Sequence, residues 1–198
     1  KYKIAGIIML PIYIMLSAFI GKAIVKDYRL MLVLWLIGIF IYIKYVPKIN
    51  SRGRLSQIDK INFEALIFAV AYCSARYLIG VLIFNLGKSP YSLTPSGILY
   101  NMSNVIPQLI AKELVRFHLI NTYCSRRKNE PVFYGVSFIL AVCDLNWNLI
   151  KATEDFKGLS QILAKELLPD LCESVLLSFL AAYGSALTSI IYVMISIA

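Results

Sequence analysis

Long apolar runs divided by short polar, basic stretches set the pattern of this chain. Read at about 20 residues per bilayer crossing, the runs predict spans over 4–25, 30–46, 63–84, 97–123, 132–150, 167–183 and 185–198. Pro11 is expected to kink the first. Tyr42 and Tyr45 near the end of the second suit a headgroup zone. Lys48 to Lys60 reads as a basic cytoplasmic loop, and Gly87, Pro90 and Pro95 mark a turn-rich connection. Residues 151–166 read as an amphipathic, water-facing segment, with Phe156, Leu159, Ile162 and Leu163 on one side. The last apolar stretch is too long for one ordinary span, and a break near Tyr183–Ser185, at Gly184, divides it. The expected architecture is an all-α, polytopic integral membrane helix bundle of six or seven transmembrane helices, forming one membrane domain over residues 1–198.

Composition points the same way. Of 198 residues, 59% are hydrophobic and only 16% charged, and the mean hydropathy is +0.72, whereas soluble domains run at about 45–50% apolar and about 25% charged. The net charge of +9 is carried mostly between apolar runs, so an anionic lipid bilayer, not nucleic acid, is the expected partner. With the N-terminus inside, Lys1, Lys3, the Lys44–Lys60 loop and the Arg126–Lys128 loop outweigh the basic residues left outside. This predicts a cytoplasmic N-terminus, in the plasma membrane of a prokaryote. Cys73, Cys124, Cys143 and Cys172 form no CxxC pattern, which fits reduced thiols. The chain opens without Met and closes inside an apolar run at Ile197–Ala198, as expected of a piece of a longer polypeptide.

One run breaks the pattern. Pro107 to His118 sets Lys112, Glu113, Arg116 and His118 within seven positions of an apolar segment. Buried charges of this kind must pair or face water. Glu113 and Arg116 are three apart and share a helix face. With Arg76, Lys112, Asp144 and Glu173 they are expected to form a network of mutually compensating buried charges. For catalysis, Glu113 as base and His118 as proton carrier are the candidates. Five positions place them about 140° apart round a helix, and His118 is the chain's single histidine, which is thin for zinc. No phosphate-binding loop, dinucleotide fingerprint or HExxH occurs, and no cofactor or metal is expected. Two stretches, Ile106–Glu113 and Leu168–Glu173, each place a Pro before an acid and then an apolar helix with Phe117 or Phe179, the pattern of a duplicated helical hairpin.

Two family resemblances attach to these residues. Leu86-Gly-Lys-Ser-Pro-Tyr91, Thr94-Pro-Ser-Gly-Ile98, the Lys112–Asn121 helix, Lys165-Glu-Leu-Leu-Pro169 and the Leu180–Tyr192 run resemble the N-terminal multi-span region of ER-type (archaeal and SipW-like) type I signal peptidases. That resemblance covers about half the chain. It implies a non-catalytic part of a serine endopeptidase engaged in signal-peptide processing, with the peptidase domain beyond this chain and no catalytic residue within it. Lys112-Glu113-Leu-Val-Arg116 is also similar to the paired-glutamate and arginine motif of the CAAX-protease and bacteriocin-processing family of intramembrane enzymes. Here Lys replaces one glutamate, the arginine comes one residue early, and Val142 and Cys143 stand where a later histidine is expected. The second resemblance implies an intramembrane protease or a degenerate relative of one. A transporter or channel component is the third expectation.

Overall fold

The structure, a computed structural model, describes residues 2–15, 28–46, 55–84, 94–123, 130–144 and 156–197. These residues are helical almost throughout: α1 (Tyr2–Met15), α2 (Tyr28–Tyr45), α3 (Leu55–Phe84), α4 (Pro95–Tyr123), α5 (Glu130–Asp144), α6 (Phe156–Ile162), α7 (Leu168–Tyr183) and α8 (Ala186–Ile197). A wider π-helical turn, Leu163–Leu167, joins α6 to α7. Its cause lies in the sequence. The Leu168 N–H bonds back five residues to the Leu163 carbonyl, and the next residue, Pro169, has no N–H with which to continue the ordinary ladder.

α4 is the hub, packing against α1, α2, α5, α7 and α8. Two apolar clusters form around it. Tyr13, Trp35, Val115, Leu119, Ile120 and Leu140 make one, in which the Tyr13 and Trp35 rings meet at 5.8 Å. Ala65, Ala69, Leu177, Leu180, Tyr192 and Val193 make the other, where Ala65 and Ala69, one turn apart, bring α3 close to α8.

The α7–α8 corner shows why the chain turns where it does. The Gly184 N–H bonds to the Leu180 carbonyl at 2.8 Å, and a Cβ at Gly184 would lie 2.7 Å from that same oxygen. Ser185 then caps α8: its Oγ accepts from the Thr188 N–H at 3.2 Å, and its own N–H donates to Thr188 Oγ1 at 3.1 Å. This is the reciprocal arrangement of a capping box. The Thr188 hydroxyl also bonds Asn62 Oδ1, which ties the corner to α3.

The expected polytopic membrane bundle is overturned. Among the described residues no helix is long and apolar enough to cross a membrane, although the all-helical class stands. The reason differs from helix to helix. With 12 residues, α8 reaches only about 18 Å at 1.5 Å per residue, against a hydrocarbon core of about 30 Å. α4, with 29 residues, is long enough but carries Lys112, Glu113, Arg116, His118 and Asn121. α3 begins at Leu55, inside the expected cytoplasmic loop, and its first ten residues include Gln57, Asp59, Lys60 and Glu64. The exposed Lys60–Glu64 pair, at 3.7 Å, sits in that stretch. The expected integral membrane placement with an N-inside orientation gains no spanning helix from the described residues. α6 occupies part of the predicted amphipathic segment, while residues 16–27, 47–54, 85–93, 124–129 and 145–155 of the predicted spans and loops lie outside the described residues.

Candidate functional site

The polar residues of α4 are buried where the two apolar clusters approach. Glu113 is 1% and Arg116 0% exposed. Their spacing on one helix face brings Arg116 Nε to 3.1 Å from Glu113 Oε1, forming a fully buried ion pair. The rest of the guanidinium reaches out of its own helix. Nη1 donates to the Ser174 carbonyl at 2.7 Å, to Ser174 Oγ at 2.8 Å and to Ser178 Oγ at 3.0 Å, all on α7. Ser174 and Ser178 are themselves four apart and share a face.

The network continues into α5. The Ser174 hydroxyl donates to the Ser137 carbonyl at 2.7 Å, and Ser137 Oγ lies 2.7 Å from Ser178 Oγ and 2.9 Å from the Phe133 carbonyl. One turn and a half along α4, Asn121 Nδ2 donates to the Ala181 carbonyl at 2.9 Å. α4, α7 and α5 are thus bolted together by charge-assisted and hydroxyl hydrogen bonds in an otherwise apolar interior, where such bonds hold a single register.

Beside the ion pair lies a cavity of about 200 Å³. α4 contributes Leu109, Lys112, Glu113 and Arg116 to its wall; α7 contributes Asp170, Glu173, Ser174 and Leu177; α3 and α8 close it with Tyr72, Val193 and Ser196. The Ser196 hydroxyl is 3.3 Å from Glu173 Oε1. Glu113 Oε2 and Arg116 Nη2 are buried and find no hydrogen-bond partner among the described residues.

Of the six residues expected to form the charge network, the fold therefore brings Lys112, Glu113, Arg116 and Glu173 around one cavity. The side chains of Arg76 and Asp144 lie outside the described residues. His118 is buried, but its ring sits edge-on to Tyr42 of α2 at 6.2 Å, and it takes no part in the wall of the cavity that Glu113 lines. The Ser174 hydroxyl sits between the Ser137 carbonyl, to which it donates, and Arg116 Nη1, from which it accepts. Among the described residues no group of three or more His, Cys, Asp or Glu could hold a metal ion. Cys73, Cys143 and Cys172 form no disulfide among the described residues.

The sequence pattern missed Ser137, Ser174 and Ser178. The signal was present in the i,i+4 spacing of Ser174 and Ser178 inside an apolar helix, opposite a charged one. The two stretches read as a repeat do lie on helices that touch, and Glu113 and Glu173 face one cavity. However, Pro107 is inside α4 whereas Pro169 opens α7.

The expectations of a membrane protein, a signal peptidase, a protease or any other hydrolase find no support in this site. Comparison with known proteins adds nothing to them: no family model, no curated protein and no solved structure matches the chain.

Proposed function

We propose that this protein is a non-catalytic helical domain that attaches to an anionic lipid surface through the apolar faces of α2 and α3. The observation that carries this reading is the amount of apolar surface those helices leave in solvent. Ten large apolar side chains of α3 are exposed, among them Phe63, Ile67, Phe68 and Leu82; seven of α2 are exposed, among them Leu36, Ile37, Phe40 and Ile43. Scattered single residues of this kind are ordinary, but contiguous sets along two helices mark a face that meets something else. Each half-exposed side chain withdrawn from water contributes about 1 kcal/mol, so a handful suffices for stable attachment.

Charge selects the surface. The chain carries a net +9, and Lys44 lies over the rings of Phe40 and Tyr45 at 5.8 and 5.5 Å. A lysine lying on aromatic rings beside exposed apolar side chains suits a zone where acyl chains meet anionic headgroups. The polar cluster fits a structural role, since the Ser137, Ser174 and Ser178 hydroxyls and Arg116 link α4, α5 and α7.

Flotation with lipid vesicles tests this. The full chain is expected to float with vesicles of mixed phosphatidylcholine and phosphatidylglycerol, and less with phosphatidylcholine alone, the difference shrinking at high salt. A chain that stays at the bottom of the gradient with both lipids contradicts the reading. So does one that buries these faces in a stable, monodisperse dimer.

A further inference from the structure

A groove of about 370 Å³ lies between α1, α2 and α4, within the range of about 300–1,000 Å³ that small-molecule sites occupy. α1 gives it Met9 and Ile12, α4 gives Ala111 and Leu114, and α2 runs along it from Trp35 to Val46. Among the described residues that line it, none is charged. Gly38 lines it too, and a Cβ there would meet nothing within 4 Å, so the missing side chain keeps part of the groove open. One end is different. Tyr45, the last residue of α2, lines the groove, and the Lys44 ammonium lies 5.5 Å from the centre of its ring. Apolar walls thus lead to a cation at the rim.

The occupant that matches is a slender apolar chain with an anion at one end. Trp35 and Lys44 are nine positions apart on α2. At about 1.5 Å per residue that is about 13–14 Å, the reach of an extended acyl chain of about a dozen carbons. A phospholipid entering from water would leave its second chain exposed. A lysophospholipid sets a glycerol between chain and phosphate, which carries the charge away from the rim. A fatty acid has one chain and its carboxylate directly upon it. We propose that this groove binds a long-chain fatty acid anion, its chain running past Gly38 toward Trp35 and its carboxylate at Lys44. The site is distinct from Leu36, Ile37, Phe40 and Ile43, exposed on α2, which do not line the groove.

The probes are two dodecanoates, one with bromine on the terminal carbon and one with bromine beside the carboxylate. They are used without vesicles, below the concentration at which they form micelles. Bromine quenches indole fluorescence on contact, and the full chain with Trp147→Phe keeps Trp35 as its only indole, since the sequence has two tryptophans. The terminally brominated probe is expected to quench Trp35 saturably, and the other, whose bromine stays at the Lys44 end, only weakly. Lys44→Gln is expected to weaken the terminal probe about two- to fivefold, as suits an exposed charge pair. Gly38→Leu sets a side chain into the groove and is expected to abolish the quenching while the helical circular dichroism is kept. The proposal is overturned if the terminal probe gives no saturable quenching, if both probes quench alike, or if Lys44→Gln changes nothing. It is overturned too if folded Gly38→Leu is quenched as the parent is, or if lauroyl-lysophosphatidylglycerol or dodecyltrimethylammonium displaces the probe at a lower concentration than dodecanoate does. Because no vesicle is present, failure here leaves flotation untouched, and failure to float leaves this quenching untouched.

Discussion

Replacing Arg116 by Met is the most informative single change to the fold. The arginine is fully buried, and its guanidinium reaches four acceptors on two helices at 2.7–3.1 Å. Methionine fills much of the same space, so the cost is mainly electrostatic. Glu113, 1% exposed, is left as a buried carboxylate without its cation, and the Ser174 carbonyl loses a charge-assisted bond. Breaking one side of a buried pair costs about 3–5 kcal/mol, a large part of the roughly 5–15 kcal/mol that holds a domain folded. Glu113→Gln keeps every bond from Arg116 to α7 and offers Nε an amide oxygen, so its cost is about 1–3 kcal/mol. The double change Glu113→Leu with Arg116→Met removes both charges at once. It is expected to be less destabilising than Arg116→Met alone. Urea titrations followed by far-ultraviolet circular dichroism give these differences from the midpoints, provided the slopes agree. The clamp is refuted if Arg116→Met falls within about 1 kcal/mol of the wild type, or if the double variant is at least as unstable as Arg116→Met alone.

Three further outcomes follow from other parts of the fold. Gly184→Ala places a methyl 2.7 Å from the Leu180 carbonyl oxygen, which is backbone and cannot swing aside. A loss of about 1–3 kcal/mol is expected by the same titration. Ser185→Ala removes the α8 cap, whose Oγ is 3.2 Å from the Thr188 N–H, and is expected to cost about 1 kcal/mol. Burial pushes the phenol of Tyr42 up to about 12, and burial, with the charge of Glu173 and then Tyr72, pushes Tyr192 up to about 12. Both folded values lie above the usual 10.0. Their contribution to stability is thus whole below pH 10 and is lost as the pH rises toward 12. Absorbance at high pH is expected to show late-titrating tyrosines in the native protein, Tyr42 and Tyr192 among them, and none after unfolding.

Helices and their chemistry were legible to different depths. The runs read as spans over 30–46 and 97–123 fall on α2 and α4, though as helices and not as membrane crossings. The Glu113–Arg116 pair was legible because an i,i+3 spacing fixes a contact within one helix. What Arg116 does next was not. Its α7 acceptors lie 58 and 62 positions away, and only tertiary packing brings them near. The membrane-spanning reading failed for a related reason. Hydropathy summed along an apolar run averages over the polar groups inside it, and α4 carries Lys112, Glu113, Arg116, His118 and Asn121. Hydropathy also ignores which face a side chain takes: α4 turns Arg116 and His118 wholly inward while α3 turns Phe63 and Leu82 outward.

Attachment through α2 and α3 is the central claim, and a site-specific probe on α3 tests it most directly. In a chain with Cys73, Cys124, Cys143 and Cys172 replaced, an environment-sensitive dye is attached through Ile67→Cys on the exposed face of α3, and in a second preparation through Gln161→Cys on α6. On addition of phosphatidylglycerol-containing vesicles the dye at position 67 is expected to shift its emission to the blue and to become protected from aqueous quencher. The dye at position 161 is expected to stay accessible. An unshifted, fully quenchable dye at position 67 in the presence of those vesicles contradicts the account.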